Sequence, residues 1–156
     1  MLASHASTAR PNRLARSVAK LDRVPAALRP WLRNKVMGRA VPFTGTAGLA
    51  FAHMAPERVE IAVANVRRVQ NHIQGVHAAA MALLAETATG MVVGMNVRDD
   101  CLPLAKTMHI DFKRRAQGAM RAVATLSDAQ RQLMQHSDKG EAVSYTHLTL
   151  PTICSV

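Results

Sequence analysis

Aromatic residues are nearly absent. Three Phe, one Trp and one Tyr make up 3% of the chain. A core must therefore come from Ala, Val, Leu and Met, and 49% apolar residues are enough to exclude wholesale disorder. Cysteine is scarce too. Cys101 and Cys154 stand far apart with no metal-ligand spacing. That excludes a disulfide scaffold and a structural zinc site, and it points to a reduced, cytoplasmic chain. The N-terminus lacks the apolar stretch of a secretory signal. Acidic residues are missing from the first quarter: Arg10, Arg13, Arg16, Lys20, Arg23, Arg29, Arg33, Lys35 and Arg39 face Asp22 alone. This segment carries most of the net charge of +10. The rest is nearly balanced, so the high pI says little about the domain itself.

What is present is enough for one domain with a real core in 156 residues. The one long apolar run is 76–93. Glu86 sits in its middle and Gly90 and Gly94 interrupt it. A central acid costs a few kcal/mol in a bilayer, so the run reads as a core helix and no transmembrane segment is expected. Apolar on every side, it should be buried all round.

Residues 13–24 have Leu14, Val18 and Leu21 at helical spacing among cations. A second helical piece, 26–37, carries Pro30 and should break there. Together, 1–40 reads as a basic helical arm on the domain. An Arg-rich organelle-targeting peptide and a membrane-surface helix are rival readings, and nucleic-acid binding is a weaker one. Residues 38–48 read as a connector. A hairpin follows, with strands 49–54 and 59–65 about a turn at Pro56. After the helix, Asp99-Asp100 marks a loop whose acids look like loop solubility, with no His or Cys beside them to form a metal site. Met108, Ile110 and Phe112 alternate as in a strand over 106–114, and 119–126 is another. Ser127 and Gln130 form a capping box for a short helix to about 135. A further strand should begin at Glu141. The fold class is α+β: an antiparallel sheet wrapped around a central apolar helix at about 76–91.

This order of elements resembles the hotdog fold, and within it the PaaI-like acyl-CoA thioesterases and the DUF4442 branch. Asn71, His77 five residues on, and Glu86 nine residues after that resemble the family's N-x5-H…D/E pattern. The stretches 42–48 and 110–118 are also similar. Ala78-Ala79 stands where many relatives carry Gly-Gly, and the Thr or Ser that some carry one turn after the acid falls at Gly90. The hotdog domain is expected over 41–142. Residues 143–156 do not fit the family. Residues 143–152 resemble the translation of a sequencing-library adapter, so one or two C-terminal strands are expected to be missing, and Tyr145, His147 and Cys154 carry no functional weight.

The resemblance implies thioester hydrolysis, with the coenzyme A thioester as substrate and no other cofactor. The residues permit that chemistry. Asn71 can donate or accept a hydrogen bond, and backbone N–H groups near Ala78 open the helix at its positive end, where they can hold an oxyanion. Glu86, desolvated among Ala and Leu, should have a raised pKa and act as general base or nucleophile. Gly75, Thr87, Thr89, Lys113, Arg114 and Arg115 are candidate substrate contacts, the three cations for phosphates. Plainer roles stand beside these: His77 as cap, Asn71 as loop anchor, Glu86 as structural acid, and 113–115 as solvated charge. His77 and Glu86 lie about 13–14 Å apart along a helix and on opposite faces. A shared site therefore needs a second subunit, as the resemblance also implies: a homodimer, or a dimer of dimers, with no nucleic-acid partner. The alternative function is a non-catalytic module that binds acyl-CoA or an acyl carrier.

Overall fold

The computed structural model describes residues 11–136. The elements are α1 (Arg13–Leu21), α2 (Arg29–Ala40), α3 (Pro42–Ala47), β1 (Leu49–Ala55), β2 (Arg58–Val63), one 3-10 turn (Arg67–Val69), α4 (Ala78–Gly94), β3 (Met120–Thr125) and α5 (Asp128–His136). The strands form an antiparallel sheet in the order β1-β2-β3. The hairpin lies where its alternation places it, from Leu49 opposite Val63 to Ala55 opposite Arg58, with a bulge between Phe51 and His53. Helix α4 lies across the sheet. Leu84, Ala88 and Val92 of α4 and Val59, Ile61, Ala122 and Ala124 of the strands are all fully buried. Aliphatic side chains, with Phe51 as the one buried aromatic among the described residues, make this core.

Pro30 does not break the second helix. It occupies the first turn of α2, where its missing N–H has no intrahelical acceptor to lose. The expected connector holds α3, which starts at Pro42 and ends at Gly48 in the left-handed region, φ 71°. Gly38 and Gly45 bring α2 and α3 close: a Cβ on Gly38 would lie 3.2 Å from the Cα of Gly45.

The outer edge of β1 is covered by α2 side chains. Asn34 Oδ1 accepts from the Phe51 N–H at 2.8 Å, and Arg33 Nη1 donates to the Ala52 carbonyl at 2.7 Å while pairing with Asp22. A sheet edge is thereby closed to another chain. Asn34→Ala strands a backbone donor beside a buried Phe, so it should lower stability by about 1–2 kcal/mol. Chemical denaturation measures this, and an unchanged midpoint would show that the edge needs no cap.

Asn12 joins α1 to α4. Its Oδ1 caps α1 through the Ala15 N–H, and its Nδ2 donates to the Gly94 and Val97 carbonyls, both at 2.7 Å. Asp99 accepts from the Arg13 N–H and pairs with Arg16, so it is a docking residue for the arm and not only a solubilising one. Asn96, fully buried, donates to the Pro56 and Val92 carbonyls and fixes the hairpin turn to the end of α4.

The expected strand at 106–114 is not formed. Residues 101–119 run as irregular chain, with Leu102, Leu104, Met108 and Phe112 exposed. Alternation specifies which side of a strand faces inward but cannot supply a neighbour. Among the described residues β2 pairs on both sides, β1 is capped by α2 and β3 pairs with β2 alone, and this segment joins none of them. Ser127 and Gln130 do form the reciprocal capping box at the start of α5. The strand expected from Glu141 and the unusual tail lie outside the described residues.

Candidate active site

The loop before α4 is closed on itself. The Asn71 N–H donates to the Gly75 carbonyl, and the Gln74 N–H to the Asn71 carbonyl. Asn71 Oδ1 accepts from the N–H groups of Ile73 (3.1 Å) and Gly75 (3.0 Å). Gln74 takes φ 60° to complete the turn. The Asn71 oxygen is therefore occupied, and its Nδ2 amide has no acceptor among the described residues. Of the two uses the side chain allows, only donation is left for a ligand.

His77 is the N-cap of α4. Its Nδ1 accepts from the Ala79 N–H at 3.0 Å, so in this arrangement the ring proton sits on Nε2. Its backbone N–H is taken by the Val69 carbonyl at 2.8 Å. The next N–H, that of Ala78, has no acceptor among the described residues. It opens a 17-residue helix at the positive end of its dipole.

Glu86 is not buried within the chain. Helix α4 is covered on one side only; Ala79, Glu86 and Gly90 are exposed and Ala82, Leu83 and Val93 half-buried along the other. The desolvation expected of Glu86 is therefore not supplied by its own protomer. The carboxylate lies along the helix over Gly90, where an added Cβ would meet Glu86 Oε1 at 3.6 Å. Thr89 borders this stripe, half-buried, with its hydroxyl donating to the Ala85 carbonyl. Thr87 does not join it: within the protomer the residue is buried and its hydroxyl donates to the Leu83 carbonyl.

The segment 101–119 straps the loop. Arg115 Nη2 donates to the Ile73 carbonyl at 2.9 Å, and buried Ala116 sits against Gly75. A Cβ on Gly75 would lie 2.8 Å from the Ala116 carbonyl oxygen. Arg115 thus holds the loop, while Lys113 and Arg114 are exposed next to it in sequence. Sequence reasoning missed the strap because it joins positions 42 residues apart with no local pattern between them. Among the described residues no three His, Cys, Asp or Glu side chains form a group that could hold a metal ion, and no helix is long and apolar enough to cross a membrane.

A hairpin, an apolar helix opened by a closed Asn loop, and a returning strand beside the hairpin form one recognisable unit. A family model described as a domain of unknown function, DUF4442, matches residues 29–148. The chain belongs to the DUF4442 family. The match begins at the first residue of α2, so α1 of this DUF4442 protein lies before it. Among solved structures it is similar to a Pseudomonas aeruginosa protein of unknown function described as a probable thioesterase. Identity is 26%, coverage 70% of this chain and 72% of that chain, and the TM-score 0.59. A Shewanella oneidensis protein related to the thioesterase superfamily matches at 18% identity over 73% of this chain and 78% of that one, TM-score 0.54. A thioesterase family protein from Silicibacter pomeroyi matches at 17% identity over 59% and 68%, with the same TM-score of 0.54. A comparison with curated proteins gives no match. The DUF4442 chain has the hotdog fold, as its order of elements implied.

Proposed function

We propose that this DUF4442 protein is a thioester hydrolase acting on acyl-CoA, with each active site shared by two copies of the chain. The observation that carries this reading is the division of α4. Its N-terminal end offers donors that have no acceptor among the described residues, Asn71 Nδ2 and the Ala78 N–H among them. Its only carboxylate stands on the uncovered stripe, about 13–14 Å further along the axis from His77. No single substrate carbonyl can meet both ends of one helix. A second copy packed on the Ala79–Gly90 stripe would bring its Glu86 to the first copy's loop and would remove that carboxylate from water.

In such a site the Asn71 amide and the Ala78 N–H receive the thioester oxygen as charge develops on it. Glu86 takes a proton from water as the water oxygen attacks the carbonyl carbon; the C–S bond then breaks and the thiolate leaves. The same carboxylate attacking directly would give an anhydride that water hydrolyses to the same acid and thiol. His77 and Arg115 act as positioning residues, one on the helix start and one on the loop. Lys113 and Arg114 lie next to that strap and suit the phosphates of coenzyme A. No further cofactor is required.

Subunit mixing tests the shared site. Asn71→Ala and Glu86→Ala proteins should each be nearly inactive. Unfolded together and refolded at equal amounts, they should recover about one quarter of wild-type turnover, because half of randomly paired twofold dimers are mixed and each carries one intact site. No recovery from two inactive but folded and paired variants would overturn the shared site. Ligand binding without turnover by the wild-type chain would favour the binding module instead.

A further inference from the structure

We propose that the outward face of α2 is a docking surface for an anionic lipid membrane. The helix buries Met37 in the core and turns Arg33 and Asn34 toward β1, where they bond the sheet edge, yet it also leaves apolar side chains in solvent. Leu28, Trp31 and Val36 lie on that side, 54%, 60% and 38% exposed, interleaved with Lys35 and Arg39. Phe43, 62% exposed, follows in α3. Lys35 Nζ stands 5.0 Å from the centre of the Trp31 ring. Between residues 11 and 56 the only acid is Asp22, and Arg33 engages it. The face therefore presents aromatic and aliphatic groups within uncompensated positive charge.

Its composition selects the occupant. Trp with Leu, Val and Phe gains from the headgroup boundary, while Lys and Arg gain from anionic lipid. A second copy packed face to face would set Lys35 and Arg39 against their own counterparts. A nucleic acid would use the cations and one stacking ring but would leave Leu28 and Val36 without a partner. The inference stands apart from thioester chemistry, since it uses none of the α4 residues.

Trp31 is the only tryptophan in the chain, so its fluorescence reports this face alone. With the full chain, vesicles of phosphatidylcholine and phosphatidylglycerol should move its emission to shorter wavelength, and brominated acyl chains should quench it. Phosphatidylcholine alone or high salt should abolish the shift. Lys35→Gln with Arg39→Gln should weaken partitioning about 25-fold, two cations at roughly fivefold each. Both residues are exposed, so the double variant should melt as wild type does. No shift with the anionic vesicles, or an equal shift with neutral ones, would overturn the proposal. So would a shift produced by raising protein concentration without lipid, which assigns the face to a second copy. A shift with single-stranded polynucleotide and no quenching by brominated lipid would assign it to nucleic acid.

Discussion

Glu86→Gln should lower kcat/KM for an acyl-CoA about 100- to 10,000-fold, the range for loss of a positioned general base. The amide keeps the size and hydrogen-bonding span of the carboxylate but can neither take a proton at neutral pH nor form an anhydride. Because the side chain is exposed on the protomer, the change should leave the fold and its melting temperature intact. Steady-state release of thiol from a panel of acyl-CoA substrates measures it, with Glu86→Ala in parallel. Turnover unchanged in both variants would remove Glu86 from the chemistry and leave it a structural acid of the stripe.

Gly75→Ala should cost about 2–3 kcal/mol of stability, at the upper end for inserting a methyl group into a packed site. The obstacle is backbone, not a side-chain tip that can swing aside. The new Cβ would lie 2.8 Å from the Ala116 carbonyl oxygen. Either the loop shifts, moving Asn71 and the Ala78 N–H, or the strap lifts and takes the Arg115–Ile73 bond with it. Both routes disturb the donors proposed to hold the oxyanion, so kcat should fall more than KM rises. Urea unfolding together with turnover reads both effects. A variant as stable and as active as wild type would show that the strap does not set the loop. Its partner, Arg115→Ala, removes only one exposed hydrogen bond and should cost about 1 kcal/mol or less.

The hairpin, α4, β3 and α5 were legible because each announces itself within a few residues. Period-two alternation marks the strands, a 17-residue run of small and aliphatic residues marks the helix, and Ser127 with Gln130 marks the start of α5. The Asn71, His77 and Glu86 spacing was legible for the same reason, and it carried the likeness to a family. Two expectations failed for a shared cause. Residues 106–114 have the pattern of a strand but pair with no strand among the described residues, although β3 pairs on one side only. Glu86 sits in a run apolar on all sides, yet the run has a covered and an uncovered side.

The sequence by itself determined the hairpin, α4, β3 and α5, and which residue types stand at the two ends of α4. Those are local properties, set by periodicity, caps and turn chemistry. Tertiary structure alone decided which side of α4 meets the sheet. Leu84, Ala88 and Val92 are chosen for the core, while small Ala79, Ala82 and Gly90 are left outward beside Glu86. It also decided that Arg115 and Ala116 brace the loop of Asn71, and that α2 shows its Trp to solvent. Each of these depends on atoms brought together from distant parts of the chain, and no pattern along the chain encodes their meeting.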